Sequence, residues 1–257
     1  MIEVTFLGTG TSQGVPMIGC SCAVCQSKDW RDHRLRSSIM VESGAGRVVV
    51  DTGPDFRYQM LREKVMRLDG VLYTHEHKDH TGGMDDLRAF NYIQNEPAEV
   101  YCSERTARVL KKDFDYAFAS NPYPGVPRIN IHIIGHESFH IQDLAITPIE
   151  LLHFKLPILG YLFGLHRELC YITDANWISD QAIEQIKGCK VLIINALRLE
   201  EHISHFSLPQ ALEVIERVAP ERAYLTHASH QLGLYEDVVK LLPENVTLAY
   251  DQLKINC

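Results

Sequence analysis

Five short apolar segments of this chain each end in a side chain that can bind a metal ion. The segments and their polar ends are VVVD at Asp51, VLYTH at His75, IELLH at His153, CYITD at Asp174 and AYLTH at His227. Apolar runs of this length are typical of buried strands, and open sheets hold functional sites where strands end and loops converge. Thirteen histidines placed at random would rarely give this recurrence. With eleven strand-like and six helix-like runs along the chain, the pattern predicts a strand-rich, layered α/β protein with a site at one sheet edge.

The densest group of metal-competent side chains lies in the segment THEHKDH. It places His75, His77, Asp79 and His80 within six positions, directly after the apolar run Val71–Tyr73. We expect a loop here, because neither a regular helix nor a strand would aim all four side chains at one point. Imidazole and carboxylate ligands suit zinc, manganese or iron. Four ligands in one loop favour a two-metal hydrolytic site, and the alternative is a solvated histidine-rich loop.

Bulk properties exclude several classes of function. The 257 residues suffice for one large domain or two tightly joined halves, and no apolar run approaches the roughly 18 residues of a membrane span. The net charge of -8 argues against broad electrostatic binding to nucleic acid. The first residues enter a strand directly, which predicts no secretory signal. An odd count of seven cysteines favours reduced thiols in a cytoplasmic protein.

Together these elements resemble the metallo-β-lactamase superfamily of metal-dependent hydrolases. The matching elements, in the family's order along the chain, are Gly8-Thr9-Gly10-Thr11, Asp51-Thr52-Gly53, the HxHxDH segment, His153, Asp174 and His227. The resemblance implies an α/β fold of the αβ/βα sandwich type, in which two mixed sheets face each other with helices outside. It also implies a single hydrolase domain over residues 1–257.

Within the superfamily the chain is similar to the phosphoribosyl 1,2-cyclic phosphate phosphodiesterases of the carbon–phosphorus lyase pathway. Three local segments carry this narrower match: Gly19–Cys25, His205–Leu212 and Thr226–His230. Members of the family also resemble the transfer-RNA 3′-processing ribonucleases and a protein of pyrroloquinoline quinone biosynthesis. The superfamily assignment therefore rests on more of the chain than the subfamily assignment does.

By this resemblance, two catalytic divalent metals, zinc or manganese, lie side by side with a water or hydroxide between them. The implied ligands are His75, His77 and His153 for one metal, Asp79, His80 and His227 for the other, and Asp174 as a bridge. Two adjacent cations lower the pKa of a bridging water and neutralise the phosphate oxygens that it attacks. The ligand set therefore suits hydrolysis of a phosphodiester.

Other residues are assigned catalytic and supporting roles around this metal pair. His205, just before the segment Ser207–Leu212, is the predicted general acid, because a protonated imidazole can protonate a departing alkoxide. His202 is the competing candidate for that role, and Asp79 shares the catalytic assignment as a metal ligand. Asp51 either accepts a hydrogen bond from a ligand histidine and fixes its tautomer, or is a turn aspartate of Asp-Thr-Gly.

A second metal site is predicted at the CxCxxC cluster of Cys20, Cys22 and Cys25. Three thiolates require one more ligand to complete a tetrahedron around zinc. The resemblance supplies His230, which would make a closed structural zinc site that ties the loop after the first strand to the loop of His227. The alternative is three free, partly buried thiols.

The sequence thus predicts a phosphoric diester hydrolase that acts on a small cyclic or nucleotide-like phosphodiester, similar to phosphoribosyl cyclic phosphate, with a hydroxide activated by two metals. One alternative is an RNA 3′-processing nuclease, which the acidic net charge disfavours. Another is a metal-binding accessory protein of cofactor biosynthesis. The expected partner is a small molecule, with neither a membrane nor a nucleic acid expected. Similar proteins often dimerise, which leaves a homodimer open.

Overall fold

The computed structural model describes all 257 residues and contains fifteen strands and seven α-helices. The strands are β1 (Glu3–Gly8), β2 (Ser38–Glu42), β3 (Arg47–Val50), β4 (Gly70–Leu72), β5 (Ala98–Cys102), β6 (Ile129–Ile133), β7 (Phe139–Ile141), β8 (Leu144–His153), β9 (Leu156–Phe163), β10 (Leu169–Ile172), β11 (Trp177–Ile178), β12 (Val191–Asn195), β13 (Arg222–Thr226), β14 (Val246–Leu248) and β15 (Lys254–Asn256). The helices are α1 (Phe56–Glu63), α2 (Lys78–Thr81), α3 (Arg88–Gln94), α4 (Glu104–Asp113), α5 (Asp180–Ile186), α6 (Leu208–Val218) and α7 (Tyr235–Val238).

The strands form two mixed sheets. The first has the order β15-β1-β2-β3-β4-β5-β6, and the second has the order β11-β8-β9-β10-β12-β13-β14, with β7 also paired to β8. In the first sheet β3 to β6 run parallel, and the strands on the β1 side are antiparallel. In the second sheet β10, β12, β13 and β14 run parallel, and β8 and β9 are antiparallel. Each sheet therefore has a parallel set whose carboxyl ends lie at one edge.

Apolar side chains fill the space between the two sheets. Phe6 and Leu72 of the first sheet belong to the same buried cluster as Tyr161 and Ile193 of the second. The alternation of strand side chains explains this arrangement in β3, where Val48 and Val50 belong to the inter-sheet cluster and Val49 does not. The inter-sheet core thus fixes the two site-bearing edges relative to each other.

Helices cover the two outer faces. Phe56 of α1 and Leu110 of α4 pack with Val49 on the outside of the first sheet. Ile183 of α5 and Val214 of α6 pack on the outside of the second. The layers are therefore helix, sheet, sheet and helix, and the predicted αβ/βα sandwich is confirmed.

Helix α6 begins at a capping box. The Ser207 hydroxyl accepts from the Gln210 amide, and the Gln210 side-chain oxygen accepts from the Ser207 amide, with Pro209 in the first turn. The residue before the cap is also anchored, because the Phe206 amide donates to the Ala175 carbonyl oxygen at 2.7 Å. The loop that carries His205 is thus fixed at its C-terminal end beside Asp174.

The THEHKDH segment differs from the expected loop in its second half. Asp79 and His80 lie in α2, a single helical turn over Lys78–Thr81. Asp79 Oδ2 lies 3.2 Å from His80 Nε2, so the two side chains still meet although they stand on successive residues of the helical turn. The expectation of a continuous loop was wrong for these two residues.

No helix of the structure has the length and apolar character needed to cross a membrane.

Candidate metal centre

Strand ends from both sheets bring the predicted ligands together. The ligand atoms within each of four overlapping groups lie within 4.8 Å of one another. The groups are His75, His77 and His153; His75, His80 and Asp174; Asp79, Asp174 and His227; and His153, Asp174 and His205. Asp174 belongs to three of the four groups, so it lies at the centre of this set of side chains, which we call the catalytic cluster after its predicted role.

Three residues of the site leave their strands through left-handed backbone. The φ angle is 64° at Asp51, 58° at Asp174 and 56° at His227. Residues other than glycine rarely adopt this conformation, and such strain costs roughly 1–3 kcal/mol unless the surroundings hold it. All three side chains are buried in the site. The strain therefore accompanies the placement of functional side chains, and no pattern in the sequence marks it.

The Asp-Thr-Gly turn packs directly against α2. A Cβ atom on Gly53 would lie 2.1 Å from the carbonyl oxygen of Asp79, so only glycine allows this approach. The Thr52 amide donates to the His80 carbonyl oxygen at 2.8 Å. This packing brings Asp51 against the imidazole of His80.

Asp51 accepts three hydrogen bonds in the interior. The donors are His80 Nδ1 at 2.7 Å, the Thr74 amide at 2.8 Å and the Thr74 hydroxyl at 2.8 Å. Burial raises the pKa of the Asp51 carboxyl, and the contacts with His80 and Thr74 oppose that rise. Of the two environments that the sequence left open for Asp51, the structure places it against His80, one of the predicted ligands.

Unpartnered imidazole nitrogens show that the catalytic cluster fits metal ions. The Nε2 atoms of His75, His80 and His227 are buried and have no hydrogen-bond partner. His80 Nε2 lies 3.0 Å from Asp174 Oδ2, and His227 Nε2 lies 3.2 Å from Asp174 Oδ1. His80 already donates from Nδ1, so its Nε2 carries a lone pair when the ring is neutral. That lone pair faces the lone pairs of the Asp174 carboxylate. Such buried groups are stable only with a cation or a proton among them.

The pKa shifts agree with this interpretation. Burial lowers the pKa of His75 well below its ordinary value and that of His227 to about 3, so both rings are neutral electron-pair donors near pH 7. Burial also opposes the charged form of His80, but the surrounding carboxylates, with Asp174 foremost, raise its pKa well above the ordinary value. The negative potential that would hold a proton on His80 would also hold a divalent cation.

His205 directs its proton toward the centre of the cluster. Its Nε2 lies 3.0 Å from Asp174 Oδ1, and because a carboxylate only accepts, Nε2 is the protonated nitrogen. Its Nδ1 lies 3.1 Å from His202 Nδ1 and 3.0 Å from Ser204 Oγ. The same loop holds His153, whose Nδ1 donates to the Ser204 carbonyl oxygen at 2.7 Å. His205 thus contacts the cluster, and His202 lies behind it.

The cluster is open on one side. His77 is exposed, whereas His75 and His80 are buried. A cavity of about 430 Å³ lies next to the loop of His202 and is lined also by Arg198 and His230. No member of the four overlapping groups lines this cavity, which therefore lies between the loop of His202 and the loop of His230.

Cys20, Cys22, Cys25 and His230 form a separate group, whose ligand atoms also lie within 4.8 Å of one another. The Sγ atoms of Cys20 and Cys22 lie 3.4 and 3.3 Å from His230 Nδ1. The Cys25 amide and then His230 lower the pKa of the Cys22 thiol to about 6, whereas burial raises that of Cys25 to about 11. Three sulfurs and one imidazole suit a tetrahedral zinc ion with no open position.

The loop of His227 and His230 is joined to the loop after β1. The Ala228 amide donates to the Thr9 carbonyl oxygen at 2.9 Å, and the Thr11 amide donates to the Ala228 carbonyl oxygen at 3.1 Å. The thiolate-rich group therefore lies where these two loops meet. The sequence interpretation identified this group but assigned no role to Thr74 or Ser204, which contact His75 and His153 in the catalytic cluster.

Comparison with a family model and with a solved structure extends these observations. The model of the β-lactamase superfamily domain matches residues 46–228. A crystal structure described as a new diphosphatase from the PhnP family is 38% identical to this chain and has a TM-score of 0.91. The similarity covers 99% of this chain and 96% of that one. Both comparisons agree with the resemblance inferred from the sequence.

Two further proteins are informative. The zinc-bound PqqB of Methylobacterium extorquens has a TM-score of 0.80 at 18% identity, over 99% of this chain and 100% of that one, which shows the shared fold alone. An octanoyltransferase of Porphyromonas gingivalis (strain ATCC BAA-308 / W83) is 39% identical over 251 residues, or 96% of this chain. This chain spans only 50% of the length of that protein.

Proposed function

The chain belongs to the β-lactamase superfamily, and we propose that within this family it is a phosphodiesterase acting on a small cyclic or nucleotide-like phosphodiester. That it is a metal-dependent hydrolase of this fold follows from the family model and the similarity to the diphosphatase. Phosphoester chemistry is favoured because 38% identity to that enzyme extends over nearly the whole of both chains.

One observation carries the choice of reaction. A histidine outside the two implied ligand sets, His205, directs a protonated Nε2 into the cluster, 3.0 Å from Asp174 Oδ1. Hydrolysis of an alkyl phosphodiester needs both an electrophilic centre and a proton for the departing alkoxide. His205 would supply the proton, and divalent cations held by the cluster would supply the electrophilic centre at the same place.

The proposed ligands divide as the resemblance implies. They are His75, His77 and His153 for one ion, Asp79, His80 and His227 for the other, and Asp174 between them. Two divalent cations held there would supply positive charge for the phosphate oxygens and a water of lowered pKa. Asp51 and Ser204 orient the rings of His80 and His153. The identity of the cations as zinc or manganese, with a third, structural zinc at the cysteines, is part of the proposal.

The proposed acid step uses residues of the chain alone. His205 gives its Nε2 proton to the oxygen that leaves the phosphorus atom. Its Nδ1 contacts His202 and Ser204, which hold the ring in place during the transfer. Because His202 lies behind His205 rather than against the cluster, we propose His205 as the acid.

The test is a hydrolysis screen with metal-reconstituted protein. Bis(p-nitrophenyl) phosphate with added manganese or zinc reports any phosphodiesterase activity, and a panel of cyclic and linear phosphodiesters then defines the substrate. We expect turnover that depends on added metal. Metal-loaded protein that hydrolyses no phosphodiester in the panel would rule the proposal out and leave a metal-binding accessory role.

A second candidate is hydrolysis of an acyl thioester, since metal ions can polarise a carbonyl as well as a phosphoryl group. The observation that favours it is the octanoyltransferase relative, although this chain matches only half of that protein. An octanoyl thioester in the same panel separates the two candidates.

An RNA 3′-processing role is less well supported because the net charge is -8. We propose one hydrolase domain over residues 1–257 and leave a homodimer to be tested by sedimentation.

A further inference from the structure

Thr74 connects two histidines that belong to different proposed metal positions. Its hydroxyl lies 2.8 Å from Asp51 Oδ2 and 3.0 Å from His75 Nδ1. The same Asp51 oxygen accepts from His80 Nδ1 at 2.7 Å. All four residues are at most 1% exposed, so water does not supply alternative partners for these groups.

The proton on each of these atoms follows from the contacts. The Thr74 hydroxyl has one proton, and its carboxylate partner Asp51 accepts it. The hydroxyl oxygen is then an acceptor toward His75, so His75 carries its proton on Nδ1. His80 likewise donates from Nδ1 to Asp51. Both rings therefore present an unprotonated Nε2, and these are two of the buried nitrogens that have no partner.

We propose that Thr74 is a positioning residue that couples the two catalytic metal positions. Through its hydroxyl it holds His75, a proposed ligand of one ion, and through Asp51 it is joined to His80, a proposed ligand of the other. This inference rests on the two-metal site of the proposed function but not on its substrate. An ion bound at either position orders the shared Asp51–Thr74 pair and thereby prepares the histidine of the other position.

Replacement of Thr74 by the isosteric valine isolates the hydroxyl. In T74V the side chain keeps its shape, but His75 Nδ1 loses its acceptor and Asp51 loses one of its donors. Loss of such outer contacts typically weakens metal binding by roughly 10–100-fold. We expect that loss in T74V, together with weaker cooperativity between the two binding steps, and recovery of most of that loss in T74S.

The chain offers a matched control in Thr226. This residue is also a fully buried threonine that directly precedes a proposed ligand, His227, but its hydroxyl has no hydrogen-bond partner. T226V should therefore bind metal as the wild type does. Equal losses in T74V and T226V would indicate a general packing effect and overturn the inference.

The experiment measures metal binding directly. Protein stripped of its catalytic metals is titrated with Mn²⁺, and separately with Zn²⁺, against a fluorescent chelator. Nitrogen-15 NMR of the histidine side chains reports the tautomer, with a protonated Nδ1 expected for His75 in wild type and T74S and lost in T74V. If T74V fails to fold, T74A removes the same hydroxyl without adding a methyl group, and the same result is expected.

A double-mutant cycle with Asp51 completes the test. If Thr74 acts through Asp51, T74V should cost much less in a D51N background than in wild type. This inference, but not the proposed function, would be overturned if T74V bound both ions as tightly and as cooperatively as wild type. Failure of T74S to recover metal binding would have the same meaning. Wild-type protein that binds fewer than two ions at the cluster would overturn the proposed function as well.

Discussion

His227 and His230 stand three residues apart on the loop after β13, yet they belong to clusters of opposite character. The catalytic cluster around His227 contains carboxylates and imidazoles in overlapping groups, and its member His77 is exposed. The group around His230 contains three thiols and one imidazole and no carboxylate. The first has more donors than one ion can use, and the second has the number that closes a single tetrahedron.

The difference shows how a short loop can serve reactivity and stability together. Hard and borderline donors with an open side allow a substrate to approach, whereas a complete set of soft donors leaves no position for one. With zinc bound as proposed, the closed group would tie the loop to the segment after β1, and His227 next to it would be held by a connection that takes no part in the proposed reaction. Removing metals or ligands from one cluster at a time should separate these contributions.

Chelation should have the largest effect and should separate the two clusters at once. A mild chelator is expected to remove the ions of the open cluster and abolish activity, and added manganese or zinc should restore it. About three metals per chain should be present before treatment and about one zinc after it. Elemental analysis that finds no zinc in chelated but still folded protein would contradict a closed structural site.

Asp174→Ala should be the most damaging single substitution. No other carboxylate belongs to three of the four ligand groups, so we expect activity to fall by more than about 10³-fold, beyond the 10–100-fold typical of an outer contact. Asp180→Ala, which removes an exposed carboxylate, is the control. Turnover close to wild type in Asp174→Ala would remove this residue from the centre of the site, and thermal unfolding should show that the fold survives.

His205→Ala should lower activity without removing metal. Turnover of a substrate with a poor alkoxide leaving group is expected to fall by roughly 10²–10⁴-fold, the usual contribution of a general acid. A nitrophenolate leaving group needs little protonation and should lose much less. Equal losses on both substrates at unchanged metal content would exclude His205 as the acid, and His202→Ala measured in parallel would then show whether His202 has that role.

Cys22→Ser should show the smallest change in chemistry and a clear change in stability. Loss of a thiolate from a closed site lowers the free energy of unfolding, and in a protein of this size each 1 kcal/mol corresponds to about 2–4 °C in Tm. Activity per folded molecule should fall only modestly. Cys257→Ser, outside the cluster, is the matched control. Full zinc content and an unchanged Tm in Cys22→Ser would show that the cysteines do not form a metal site.

Much of this arrangement can be predicted from the sequence, because chemistry-bearing residues follow the apolar strands directly. Asp51, Asp174 and His227 are found at strand ends for that reason. Their left-handed backbone could not be predicted, since that conformation usually indicates glycine. The helical turn containing His80 was also missed, because four residues are too few to show helical periodicity. The same limit hides the short strands β7, β11, β14 and β15.

The sequence analysis also did not predict the contact of Thr74 with His75 and Asp51, for a different reason. Local sequence places Thr74 beside His75, but Asp51 lies 23 positions away and meets it only because β3 and β4 are parallel neighbours. Side-chain contacts of this kind depend on the pairing of strands, which apolar patterns indicate only in outline. The local order of residues, with the family resemblance, was therefore sufficient to predict the ligand candidates that the structure brings together, and Asp51 beside them, but not the contacts of Thr74 and Ser204.

The pairing of β15 with β1 has a consequence for how the chain reaches this structure. Glu3 pairs with Asn256 and Thr5 with Lys254, so the first sheet is completed by residues from opposite ends of the sequence. Until that pairing forms, β1 presents a row of free backbone donors and acceptors, which is a template for association with other chains. Contacts of such long sequence separation form slowly. Folding intermediates of this protein are therefore vulnerable to aggregation at β1.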